Sequence, residues 1–129
     1  MYNEFMQKGS VVALGSFDGL HIGHMAVINN AKNLATIAEF DFLGKDGNPL
    51  NSLDVQITGV DSEEEIREDG VAENAIDGQV EAYWLTSSRT LPHWIEFYVP
   101  TKTEVFGFRY TPRQNKSVGR IKDWRFLAR

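Results

Sequence analysis

The chain contains no cysteine, and it has only three histidines in 129 residues. The first absence excludes disulfide bonds and any metal site built from thiolates. The second leaves little material for a histidine-based catalytic dyad, because His21 and His24 lie in one short segment. The third, His93, lies in an alternating strand pattern and is interpreted as structural. We therefore expect a protein that is not an enzyme.

Long apolar runs and an excess of positive charge are also missing. No stretch reaches the roughly 20 apolar residues of a transmembrane helix, and the N-terminus lacks the basic start and apolar core of a signal peptide. The net charge of -5 argues against nucleic acids and anionic membrane surfaces as partners. We expect no membrane span and no nucleic-acid partner.

What the chain does contain is alternation of apolar and polar residues, most clearly between Leu91 and Trp124. A period of two is typical of half-buried strands. Glycine and proline turns separate several such stretches, and Val71–Ile76 is the best candidate for one short helix. The sequence predicts an all-β fold, an antiparallel β-sandwich forming a single domain over residues 1–129. The predicted strands are Val11–Leu14, Thr36–Leu43, Val55–Val60, Tyr83–Thr86, His93–Tyr98, Glu104–Tyr110 and Ile121–Leu127.

From about residue 34 to the end, a series of segments resembles a discoidin-like domain, also called factor V/VIII type C or galactose-binding-like. The segments are TIAEFDFLG, VDSEEE, DGVAENAIDG, YWLT, PHWIEF, GFRYTPRQ and GRIKDW. The resemblance implies a jelly-roll sandwich of the kind attached to bacterial glycoside hydrolases. It therefore implies a non-catalytic module that binds carbohydrate in an extracellular or periplasmic setting, although no signal peptide is visible.

The same resemblance implies a ligand site in loops at one end of the sandwich. Sugar sites combine an aromatic side chain with a few polar groups. The candidate ligand-binding residues are Trp84, Arg89, Arg113, Gln114 and Asn115. Two alternatives stay open, because Trp84 also suits a core position and Arg113, after Pro112, also suits a role in holding a turn.

The resemblance further implies a structural calcium ion as the one expected cofactor. Its candidate ligands are Glu39, Asn74 and Asp77, since calcium prefers carboxylate and carbonyl oxygens. Gln79 and Ala82 stand where related domains often carry oxygen ligands. The alternative is that Asp77 caps a turn and Glu39 accepts backbone hydrogen bonds.

The order of the segments is unusual for the family. Ala38-Glu39, which normally closes the domain, comes first here, so the chain resembles a truncated or permuted domain. We expect residues 1–33, a foreign-looking segment, to complete the core, with HIGHMAVI pairing beside TIAEFDF. Open sheet edges would favour a homodimer or strand swapping.

Residues 11–31 resemble a different family. GSFDGLHIGH carries the HxGH signature of bacterial riboflavin kinase/FAD synthetase nucleotidyltransferases, in which His21 and His24 would face nucleotide phosphates. No second signature of that family follows. Two alternatives to a carbohydrate module result: a chimera with a fold but no evolved activity, and a nucleotide-binding fragment. A strand within residues 11–33 that pairs with TIAEFDF would favour core completion. A glycine loop that leads into a helix over Met25–Asn33, with both histidines facing a cleft, would favour nucleotide binding.

Overall fold

The structure, a computed structural model, describes residues 11–14, 20–29, 34–50, 54–116, 119–121 and 124–128. These residues form nine strands and one 3₁₀ helix, Ala72–Ile76. Within these ranges, no helix is long and apolar enough to cross a membrane. The strands are β1 Val11–Leu14, β2 Leu20–Asn29, β3 Thr36–Ile37, β4 Glu39–Leu43, β5 Gln56–Val60, β6 Trp84–Leu85, β7 His93–Val105, β8 Gly107–Thr111 and β9 Trp124–Ala128.

The strands form antiparallel sheets, which confirms the predicted all-β sandwich. One sheet has the order β5-β7-β2-β9, and a second has the order β1-β8-β4. A small third sheet pairs β3 with β6. Every pairing between these strands is antiparallel. Burial alternates along β7, as the period of two predicts, whereas β4 and β8 are buried at four of their five positions.

Phenylalanine rings join the two larger sheets across the core. Phe40 of β4 stacks on Phe97 of β7 with 4.9 Å between the ring centroids. Phe108 of β8 stacks on Phe126 of β9 at 4.6 Å. Both pairs bring a ring from one sheet onto a ring from the other. Stacked aromatic pairs add to the free energy gained from burying their apolar area.

The N-terminal segment forms strands, as expected for a segment that completes the core. The inward-facing side chains of Met25 and Val27 on β2 are fully buried. The predicted pairing partner is wrong, because β2 lies between β7 and β9 rather than beside β4. A helix over Met25–Asn33 is also wrong for residues 25–29, which belong to β2. Residues 15–19 and 30–33 lie outside the described ranges.

Two predicted strands are divided in the structure. Thr36–Leu43 breaks at Ala38, so that β3 pairs with β6 while β4 pairs with β8. The stretch Glu104–Tyr110 breaks at Phe106, whose N–H donates to the carbonyl of Leu43 at 2.8 Å. Both breaks let one continuous segment contribute to two different sheets.

The packing of Phe97 predicts a large effect of truncation. Phe97→Ala would leave a cavity between the sheets and should lower the free energy of unfolding by about 3–5 kcal/mol. Chemical denaturation measures this loss of stability. Gln56→Ala, at an exposed position on the neighbouring strand β5, is the control. Gln56→Ala should change stability by less than about 0.5 kcal/mol. A similar small loss for both variants would contradict the assigned core.

Candidate functional site

Residues 35 and 36 anchor the start of one loop and a residue beyond another turn. Thr86 donates its N–H to the carbonyl of Ala35 at 3.1 Å, and its Oγ1 accepts from the Ala35 N–H at 2.9 Å. Thr36 donates its N–H to the carbonyl of Gly119 at 2.9 Å. The first contacts fix the start of loop 86–92, and the other fixes the segment after β8. We call loop 86–92 and turn 112–116 together the loop end.

Arg113 lies beneath this surface and not on it. Its side chain is only 4% exposed, and its guanidinium carbon is 5.3 Å from the centroid of the Tyr83 ring. The Tyr83 hydroxyl in turn donates to the carboxylate of Glu68. The cation–π contact ties turn 112–116 to Tyr83, and the hydrogen bond to Glu68 extends this link to the loop 61–70. The prediction of Arg113 as a ligand contact is therefore corrected to the alternative role, that of holding the turn.

Trp84 is also corrected from ligand contact to core residue. The side chain is fully buried, and its Nε1–H donates to the carbonyl of Ser62 at 2.9 Å. A buried indole cannot stack on a sugar from solvent. The Ser62 hydroxyl accepts from the N–H groups of Ser87 and Ser88 at 3.1 and 3.0 Å. Ser62 therefore holds loop 86–92 in place and caps no helix.

Three predicted ligand contacts remain at the surface of the loop end. Arg89, Gln114 and Asn115 are exposed. The side-chain amide of Gln114 donates to the carbonyl of Pro112 at 2.7 Å, which orients the turn. A guanidinium and two amides are thus exposed on the two segments of the loop end, and the contact of Arg113 with Tyr83 anchors the turn that carries the amides.

A second cluster is acidic and lies beside β4. Glu39 Oε1 accepts the N–H of Gly78 at 2.7 Å, and the carboxyl of Asp77 is close enough to interact with that of Glu39. Burial, followed by the interaction with the Asp77 carboxyl, raises the pKa of Glu39 from 4.5 to about 8. Gly78 has φ +77°, which lets the turn present its N–H to Glu39. We call Glu39 and Asp77 the carboxyl pair.

The carboxyl pair lies at the rim of a hollow of about 280 Å³. Leu50, Val55 and Ile76 supply its apolar wall. Asp41 also lines the hollow, but Arg109 on β8 neutralises it through a guanidinium–carboxylate contact of 2.9 Å. The uncompensated acidic groups of the hollow are therefore those of the carboxyl pair.

The predicted calcium ligands are only partly brought together. Asn74 does not line the hollow, and its side-chain amide donates to the carbonyls of Asp69 and Tyr83 at 2.9 and 3.3 Å. In the described part of the chain, no group of three or more acidic or histidine side chains could hold a metal ion. The backbone hydrogen bonds expected for Glu39 and Asp77 are both present. The carboxyl pair offers the hard oxygens that calcium takes, with the other ligands left to backbone carbonyls and water.

The two histidines of the HxGH segment lie on a single strand. In the backbone register of β2, His21 is opposite Glu104 and His24 is opposite Tyr98 on β7. The residues that follow continue the strand to Asn29. A helix N-terminus for nucleotide phosphates is therefore absent directly after His24.

The raised pKa of Glu39 predicts a pH-dependent stability. The carboxyl is neutral in the fold but ionises near pH 4.5 in the unfolded chain, so its contribution is complete below pH 4.5 and is lost as pH rises through about 8. In a chelating buffer, the melting temperature should fall over this range more steeply for the wild type than for Glu39→Gln. Parallel profiles would show that Glu39 ionises normally.

Comparison with known proteins gives matches to two family models and to one related protein. The family model of FAD synthetase matches residues 4–43. A sialidase from Micromonospora viridifaciens is 38% identical over 80 residues, which cover 58% of this chain and 12% of that protein. No solved structure gives a significant match.

A second family model shows which family the chain belongs to. The F5/8 type C domain model matches residues 56–129, which is more than half of the chain. It begins later than the residue 34 expected from the sequence, and Ala38-Glu39 falls within the FAD synthetase match. The two matches occupy separate stretches, consistent with a chimeric origin. The chain belongs to the F5/8 type C, or discoidin, domain family.

Proposed function

We propose that this chain is a non-catalytic module that binds carbohydrate at its loop end. Its relative is named a sialidase, and this chain spans only 12% of that protein's length. Such a short match is what an accessory module of a larger glycan-processing enzyme gives. Family membership and this relative support the class of ligand, while the loop end supplies the site.

The observation that carries the proposal is the exposure of polar groups on both segments of the loop end. Arg89 lies on loop 86–92, which Thr86 anchors to Ala35, and Gln114 and Asn115 lie on turn 112–116, whose Arg113 contacts Tyr83. Amides both donate and accept hydrogen bonds, and a guanidinium donates in a fixed plane. These are the groups that recognise the hydroxyls of a sugar.

The raised pKa of Glu39 needs no catalytic role to explain it, because burial and the neighbouring Asp77 carboxyl account for the shift.

Glycan binding tests the loop end. The wild type should be retained by immobilised galactose-type, plant or host glycans on a broad array. The double variant Arg89→Ala with Asn115→Ala loses two side-chain hydrogen bonds to the sugar. Its retention should therefore weaken about tenfold. Lys45→Ala, an exposed cation in the turn 44–48, is the matched control and should bind as the wild type does.

Two results would decide against the loop end. A wild type that binds no glycan on the array would end the proposal of a carbohydrate module and leave the chimera with a fold but no evolved activity. The adjoining matches to two different families favour that second candidate. Undiminished binding by the double variant would place the sugar elsewhere.

We also propose that the carboxyl pair takes a calcium ion in exchange for the proton of Glu39. Glu39 and Asp77 would hold the ion, which would neutralise two adjacent carboxylates and fix the turn at Gly78. Because calcium would bind only the folded chain, a concentration of 100 times its Kd should stabilise the fold by about 2.7 kcal/mol.

Thermal unfolding with and without calcium tests this site. The melting temperature should rise with calcium over a chelating buffer at pH 8, and it should not rise for Glu39→Gln. Magnesium serves as the control ion, because it demands a tighter octahedral site. A wild type that calcium leaves unchanged would show that the pair keeps its proton instead.

A further inference from the structure

The outer face of β7 carries an exposed tryptophan that the loop end does not involve. Along this strand, Ile95 and Phe97 point into the core, so Trp94 and Glu96 point outward. Trp94 is 36% exposed. Among the described residues, the other large apolar side chains this exposed are Ile66 and Leu91, and both lie in loops.

Gly59 on β5 makes room for the Trp94 ring. A Cβ atom at Gly59 would lie 3.1 Å from Cζ3 and 3.3 Å from Cη2 of the indole. Such contacts are tighter than ordinary van der Waals packing, so the six-membered part of the ring rests on bare backbone. The indole is therefore supported from below by the sheet.

Asp61 fixes the backbone that carries this ring. Its Oδ1 accepts the N–H of Trp94 at 2.9 Å, and its own N–H donates to the carbonyl of Trp94 at 3.1 Å. Its other oxygen, Oδ2, is 2.9 Å from Nδ1 of the buried His93. With both oxygens engaged, the carboxylate cannot turn away. A ligand on Trp94 would meet a surface that is already ordered, which lowers the entropy cost of binding.

Polar groups border the ring on the same face. Glu96 follows two residues along the strand, at about 7 Å, and its Oε1 accepts from the hydroxyl of Thr58 at 2.8 Å. Arg125 on β9 is exposed and lies in register with Trp94 through Ile28 of β2. We call Trp94, Gly59, Glu96 and Thr58 the Trp94 face.

We propose that the Trp94 face is a second contact surface for neutral carbohydrate, separate from the loop end. The apolar C–H face of a pyranose would stack on the indole, whose electron-rich face attracts it, and a ring hydroxyl would donate to the carboxylate of Glu96. This inference rests on the proposed carbohydrate class. It adds a site that would let one polysaccharide chain engage the module at two places.

The surroundings of Trp94 select this class of ligand over others. A protein partner needs a contiguous apolar patch, whereas Glu96 and Thr58 place polar groups beside Trp94. A nucleic acid would bring phosphates to Glu96 in a chain of net charge -5. An aromatic ring with hydrogen-bonding groups beside it suits a sugar that carries no charge.

Affinity electrophoresis through gels containing β-1,4-galactan or xyloglucan tests the Trp94 face. Trp94→Ala should weaken retention of the full chain by about three- to tenfold, the effect of losing one aromatic stacking contact. Trp94→Phe keeps a ring and should retain most of the binding. Both variants should unfold cooperatively, and Trp94→Phe, which keeps a ring over Gly59, should melt close to the wild type.

Each outcome decides between the two surfaces. If Trp94→Ala loses retention while Arg89→Ala with Asn115→Ala keeps it, the Trp94 face stands and the loop end fails. If Trp94→Ala is retained as well as the wild type, or if neither polysaccharide retains the wild type, the Trp94 face is overturned. The loop end still stands in that case if the wild type binds other glycans and the double variant does not.

Discussion

The contact between phenylalanine rings of opposite sheets is the interaction on which the rest of the structure depends. Phe40 on Phe97 and Phe108 on Phe126 close the space between the sheets. Because these residues alternate with outward-facing ones, fixing the core also fixes what the surface presents. The direction of Trp94 follows from the burial of Ile95 on the same strand. The position of Glu39 at the rim of the hollow likewise follows from the packing of Phe40 beside it.

Alternation predicted the sandwich well, and it failed where a side chain had two physically reasonable positions. The strand His93–Tyr98 and the 3₁₀ helix at residues 72–76 form where the pattern indicates. Trp84 and Arg113 were expected among the ligand contacts, but Trp84 finds a buried carbonyl acceptor and Arg113 an aromatic ring. Partners of this kind come from distant parts of the chain, and local spacing does not reveal them. The sequence did contain one usable signal, because Trp84 lies in a short apolar run.

Strand pairing was the least predictable part of the fold. The segment HIGHMAVI has the composition of a strand, yet nothing in it selects β7 and β9 over β4 as neighbours. The choice depends on which inward-facing side chains fill the core together, and Met25 and Val27 meet that need between two strands. Trp94 was missed as a surface residue for a related reason. Its support depends on Gly59 and Asp61, more than 30 residues away in the chain.

The position of β2 has a consequence for how the chain is made. Its neighbours, β7 and β9, begin at His93 and Trp124, so β2 leaves the ribosome well before either exists. At about 5–20 residues per second, the wait for β7 lasts on the order of seconds. During that time an apolar strand has both edges unpaired, in the condition that invites association with other nascent chains. A segment acquired from another family would thus have had to avoid association during synthesis as well as pack into the finished core.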